Sequence, residues 1–149
     1  MDAQSTFEGC LAVCLLKLTN QKVTKKKELE IILHALKFSK WNFTEGHLDF
    51  FKKQKLKQIV EKKNKLSLSI IDELLKKSEV IVYTDAFAYW KIKHYPHFVL
   101  VKNKSGSSYK VFDPWDGKIK IMPRKTLSAS SLSLRRLGFS PQVIYRKKS

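Results

Sequence analysis

Seven apolar residues stand in a row near the start of the chain: Cys10, Leu11, Ala12, Val13, Cys14, Leu15 and Leu16, before Lys17 ends the run. As a helix over 10–18 this segment has almost no polar face, so it must be covered on every side. It is far short of the roughly 20 apolar residues that cross a bilayer. The N-terminus carries no basic residues ahead of it, so it does not read as a secretory signal. The fold must therefore wrap other elements around a short central helix. The expectation is one domain over 1–149 in a soluble, cytoplasmic protein.

The covering elements change type midway. Thr24 reads as the N-cap of a helix in which Leu29, Ile32, Leu33 and Leu36 recur at helical spacing. Thr44 reads as the cap of a short helix carrying Leu48 and Phe51, and 56–60 as a short strand. Ser67 or Ser69 caps a helix with Ile70, Leu74 and Leu75 inward. From Val80 the pattern turns to strands. Residues 80–83 are followed by an aromatic-rich loop, then 97–102, a turn at 103–106, and a returning strand at 109–113. Asp116-Gly117 signals a second hairpin leading to 118–122. A helix over 126–137 ends before Gly138, and 142–146 is a last strand. Close hairpins imply an antiparallel sheet, and the N-terminal helical layer packed on it gives an α+β fold.

The net charge is +17, which would draw acidic partners, nucleic acid or anionic lipid. The lysines, however, come scattered in pairs and triplets at predicted helix faces and ends. No nucleic-acid motif accompanies them, so nucleic acid is not an expected partner. A solvated lysine-rich surface is the stronger reading, with an acidic partner on that basic surface as the alternative. Two cysteines four residues apart suit neither a disulfide framework nor a zinc site, and no histidine pair has helical ligand spacing. Both read as free thiols of a reducing compartment, with no metal and no cofactor.

Cys10 opens the buried helix after Gly9. Unpaired N–H groups and the dipole at a helix start favour negative charge, and the thiolate is the form in which a thiol attacks. Glu8 opposes this. Cys14, one turn deeper, reads as structural. His97 begins an apolar strand beside a loop, where a general base can point into a cleft. His94 is a competitor in the loop itself, His34 reads as helix packing, and His47 as exposed. Asp113 is 16 residues from His97 with a turn near the middle. The pair should face each other, as an orienting carboxylate and its imidazole must. Gln4 can supply an oxyanion donor beside the Cys10 N–H. Singly, each has a plain structural role: a small core residue, a strand-edge histidine, an Asp-Pro turn, a polar N-terminal side chain. Their order and spacing together point to nucleophilic catalysis.

Gln4, Cys10, Ala12, Cys14 and Leu15 resemble the nucleophile segment of the bacteriocin-processing (double-glycine) peptidases and their stand-alone peptidase-like relatives. Residues 97–101 and 109–117 are similar to that family's histidine strand and aspartate-proline-glycine segment, and 68–75 and 80–82 to the helix and strand before them. The resemblance implies a papain-like cysteine peptidase fold. It implies Cys10 as nucleophile, His97 as general base and then acid, Asp113 as orienter and Gln4 as oxyanion donor. The substrate would be a peptide or amide. Many relatives have an acidic residue just before the cysteine and a glycine just after it. Here these are Gly9 and Leu11, and the Leu11 side chain is expected to narrow the approach to the thiol. In the transporter-linked members the domain precedes membrane helices and an ATPase; neither is expected here, so their leader-peptide substrate is not carried over.

The first reading is thus a thiol hydrolase. Tyr89 and Trp90, in the loop over 84–96, and Trp115 are the expected substrate contacts. The second is a non-catalytic peptide- or acidic-partner-binding module on the same fold. A nucleic-acid-binding protein is the third.

Overall fold

The structure is a computed structural model that describes residues 2–38, 43–54, 58–87, 91 and 93–148. Its elements in chain order are α1 (Cys10–Leu18), α2 (Lys25–Phe38), α3 (Phe43–Lys52), β1 (Gln58–Lys63), α4 (Leu68–Leu75), β2 (Val80–Asp85), β3 (Pro96–Ser105), β4 (Ser108–Asp113), β5 (Lys118–Pro123), α5 (Arg124–Arg136) and β6 (Val143–Lys148). The strands form one sheet in the order β1-β6-β2-β3-β4-β5, antiparallel throughout. This is the α+β arrangement expected.

The sheet is covered on both faces rather than by one helical layer. Leu11 to Leu16 and Leu18 of α1 are buried with Ile31 and Ile32 of α2 and Leu48 and Phe51 of α3, against Ile81, Phe98, Leu100, Phe112 and Ile144. Alternate residues of the same strands, Val80, Val82, Val99, Val101 and Val111, face a second cluster with Ile71 of α4 and Leu127 of α5. A strand covered twice needs apolar residues at every position, and 98–101 has them. The all-apolar character of α1 has the same cause: α2, α3 and the sheet surround it.

Several local readings shift. Thr24 Oγ1 accepts the Lys27 N–H at 3.1 Å and caps α2 as expected. Ser67, not Ser69, caps α4, accepting from Ile70 N–H at 3.2 Å. Thr44 lies inside α3, which starts at Phe43. The strand expected over 56–60 is observed as β1, and residues 55–57 lie outside the described residues. In α4, Ile71 is the fully buried residue, while Ile70, Leu74 and Leu75 pack half-buried around it. The inward face of α2 is Glu28, Ile31, Ile32 and Ala35, whereas Leu29, Leu33 and Leu36 are exposed. The helix is turned by a polar demand: the buried Glu28 carboxylate accepts hydrogen bonds from the loop ahead of α1. His47 is buried on α3, not exposed. Its Nδ1–H donates to the Phe43 carbonyl at 2.8 Å, and its Nε2 is buried with no hydrogen-bond partner.

Candidate active site

Cys10 is the first residue of α1, and the first bond of the helix ladder is Val13 N–H to Gly9 O at 3.0 Å. The Cys10 N–H therefore stays outside the ladder, at the positive end of the dipole. The loop before it is fixed from α2. Glu28 accepts from Ser5 N–H at 2.7 Å, Thr6 N–H at 2.8 Å and Thr6 Oγ1 at 2.7 Å. A Cβ at position 9 would lie 2.1 Å from Glu28 Oε2, so any side chain there would have to displace the carboxylate that fixes this loop. The expected narrowing by Leu11 is not observed. Its side chain is buried in the core, away from the approach to the thiol.

Across from α1, the sheet delivers His97 at the start of β3 and Asp113 at the end of β4. They are not directly opposed. The hairpin turns between Ser105 and Ser108, later than the expected 103–106, and even with the bulge between Val101 and Asn103, which brings β4 back by one residue, Leu100 pairs with Phe112, so Asp113 lies diagonal to His97. The ring still closes on the carboxylate, with Nε2 to Asp113 Oδ1 at 2.8 Å. The Cys10 side chain also hydrogen-bonds His97, and with Nε2 engaged, Nδ1 is the nitrogen left to meet the sulfur. Both His97 and Asp113 are about 1% exposed.

Burial works against the imidazolium, but hydrogen bonds and charges from Asp113 and Cys10 outweigh it and lift the His97 pKa to about 9. Burial would likewise raise Asp113. The His97 contact, the Lys120 ammonium and the Trp115 N–H override this and hold the carboxyl well below the usual carboxylate range. Lys120 Nζ is 2.7 Å from Asp113 Oδ2 and 3.0 Å from Asp116 Oδ2. Cys10, the His97 ring and the Asp113 carboxylate are thus joined in one hydrogen-bonded line. Cys14 is different. It is buried, its Sγ–H donates to Phe98 O at 3.7 Å, and burial pushes its thiol pKa well up.

Gln4 is near but turned. Its backbone N–H donates to Pro114 O at 2.7 Å, which fastens the N-terminal segment to the end of β4. Its Nε2 donates to Thr6 O at 2.8 Å and Phe7 O at 3.1 Å, while Oε1 is buried without a partner. Both amide hydrogens are engaged by the loop, so an oxyanion role requires one of them to be released.

Beside His97 opens a pocket of about 410 Å³, walled by Phe7, Tyr95 and Trp115, with Lys93, Asp116 and Lys120 also lining it. Trp115 stands where a substrate contact was expected. Tyr89 and Trp90 lie outside the described residues. Burial first, then the Cys10 charge, pushes the Tyr95 hydroxyl pKa up, which puts the sulfur near the Tyr95 wall. His94, the competitor for general base, is paired elsewhere, with Nδ1 at 2.5 Å from Asp85 Oδ2. Among the described residues no group of three His, Cys, Asp or Glu side chains could hold a metal, and no helix is long and apolar enough to cross a membrane.

Three contributors escaped the sequence reading. Glu28 left a trace, as the one acid on the i, i+3, i+4, i+7 face made by Ile31, Ile32 and Ala35. Lys120 left a fainter one, as a lysine two residues from Lys118, the cross-strand partner of Asp113. Phe7 left none.

The fold has a counterpart among solved structures. A candidate C39-like peptidase from Bacillus anthracis superposes with a TM-score of 0.51 at 12% identity, over 72% of this chain and 58% of that one. The fold is that of the papain-like peptidases. The match spans a little over half the length of the Bacillus anthracis chain. No family profile matches the sequence, and no curated protein does.

Proposed function

We propose that this protein is a cysteine peptidase or amidase-type thiol hydrolase, akin to the bacteriocin-processing (double-glycine) peptidase-like proteins and working in the reducing cytoplasm. The observation that carries the reading is the buried His97 ring, held by Asp113 through Nε2 and hydrogen-bonded to Cys10 on its other side.

With its proton passed to His97, the Cys10 sulfur attacks a peptide or amide carbonyl, and the Cys10 N–H at the start of α1 meets the developing oxyanion. Gln4 joins it when its amide lets go of Phe7 O, the longer of its two hydrogen bonds. His97 then gives its proton to the leaving amine, and a thioester remains on Cys10. Water attacks the thioester with His97 as base, releasing the acid and restoring the thiol. Asp113 keeps the ring oriented and favours its charged form throughout.

The test is thiol labelling of the folded protein with iodoacetamide, read by mass spectrometry. Cys10 should react and the buried Cys14 should not, and His97→Ala should slow Cys10. Against a true substrate, removing the base costs about 10²–10⁴ in rate. Equal, slow labelling of both thiols would refute the proposal. The engaged Gln4 amide favours one second reading, a non-catalytic peptide-binding module. That reading predicts peptide binding with an unreactive Cys10.

A further inference from the structure

We propose that the pocket beside His97 holds a large apolar side chain of a peptide whose adjacent residue is acidic. The inference rests on the hydrolase reading and names its substrate class.

Three aromatic rings make the walls. Phe7 meets Tyr95 at 5.3 Å and 66°, and Trp115 at 6.3 Å and 88°. Phe7 and Trp115 are 58% and 48% exposed, large apolar surfaces left open in a concavity rather than buried. Edge-to-face walls form a cup. A slot for a flat base would need two parallel faces, which neither of these ring pairs supplies. The volume of about 410 Å³ falls in the range of small-ligand pockets. Because His97 lines the same pocket, a side chain seated there carries its own backbone carbonyl toward the Cys10 sulfur.

Charge selects the neighbour. Lys120 is engaged by Asp113 and Asp116. Lys93 stands at the rim, its ammonium 5.6 Å from the Tyr95 ring centroid, and has no carboxylate partner among the described residues. A carboxylate next to the seated side chain would complete it. The net charge of +17 acts in the same direction at long range.

The experiment uses full-length Cys10→Ala protein and fluorescent blocked peptides that differ only at a central pair, Phe-Asp, Phe-Lys or Gly-Asp, with adenosine monophosphate as the competing ligand. Phe-Asp should bind about tenfold or more tighter than Gly-Asp, the effect of burying one large apolar side chain. It should bind up to about fivefold tighter than Phe-Lys, the range of one exposed ion pair. Adding Lys93→Glu should invert the order of Phe-Asp and Phe-Lys. Equal binding of Phe-Asp and Gly-Asp, an order unaffected by Lys93→Glu, or tighter binding of adenosine monophosphate would each overturn the proposal. The same peptides given to wild-type protein separate the two readings. Selective binding without Cys10-dependent cleavage removes the hydrolase and leaves the pocket. Cys10-dependent cleavage without selectivity does the reverse.

Discussion

Replacing Asp113 with Asn removes the anion on one side of His97 and keeps the shape of the side chain. The His97 pKa of about 9 stands roughly 2.5 above the ordinary 6.5, equivalent to about 3 kcal/mol favouring the imidazolium. Asp113 and Cys10 produce that rise, and together they must also overcome burial. If they share it about evenly, each supplies more than half of the net rise. Asp113→Asn should therefore lower the His97 midpoint by at least about one pH unit, or about 1.5–2 kcal/mol. The measurement is a titration of labelled histidine by NMR, with His97→Gln assigning the signal. Stability gives a second reading. Because the folded pKa lies above the unfolded one, His97 contributes stability fully below pH 6.5 and loses it as pH rises through about 9. Urea unfolding of wild-type protein should show this alkaline loss, and Asp113→Asn should reduce it. Lys120→Met is the control, since it removes the cation beside Asp113 and leaves the carboxylate. A His97 midpoint near 6.5 in wild type, or a fall in Lys120→Met equal to that in Asp113→Asn, would refute the argument.

His47 imposes the opposite slope. Burial lowers its pKa to about 4, so the unfolded chain takes the proton first and stability declines as pH falls from about 6.5 to 4, by about 3 kcal/mol. His47→Leu should flatten this acid limb in urea unfolding at several pH values, and an unchanged limb would show that the loss arises elsewhere. At the contact of α2 and α3, a Cβ on Gly46 would lie 2.6 Å from Ala35 Cα and 2.8 Å from its carbonyl oxygen. Both are backbone atoms, so Gly46→Ala should destabilise by about 1–3 kcal/mol, measured as a lower urea midpoint with an unchanged slope.

What the sequence made legible follows from how each signal is encoded. The run over 10–18 shows its burial in its own composition, because every residue is apolar or nearly so. The hairpin strands show themselves by β-branched residues and by the turn glycines, Gly106 at φ +60° and Gly117 at φ +71°. Cys10, His97 and Asp113 were legible because their chemistry is rare in combination. The orientation of α2 was not. Leucines at 29, 33 and 36 outweigh one glutamate in any apolar count, and the reason Glu28 turns inward lies 22 and 23 residues away, at Thr6 and Ser5. The offset of Asp113 came from the hairpin turning at 105–108 instead of 103–106, and a bulge that no residue type announces took back one residue of it. The state of Gln4 depended on which carbonyls the loop presents to it. The exposure expected of His47 failed because its ring nitrogen finds a carbonyl inside its own helix.

The groups beside Cys10 stand in a row of alternating sign: the His97 imidazolium, the Asp113 carboxylate, the Lys120 ammonium and the Asp116 carboxylate. A chain of net charge +17 thereby carries a centre whose own charges nearly cancel. Long-range attraction and local chemistry are separated in space, and ionic strength acts on them unequally. Dissolved salt weakens the attraction of the distant lysines for the acidic peptide proposed above and slows its arrival. His97 and Asp113, the buried members of the row, are shielded from those ions. Added salt should therefore depress kcat/KM through slower encounter while leaving the single-turnover rate of the bound complex nearly constant.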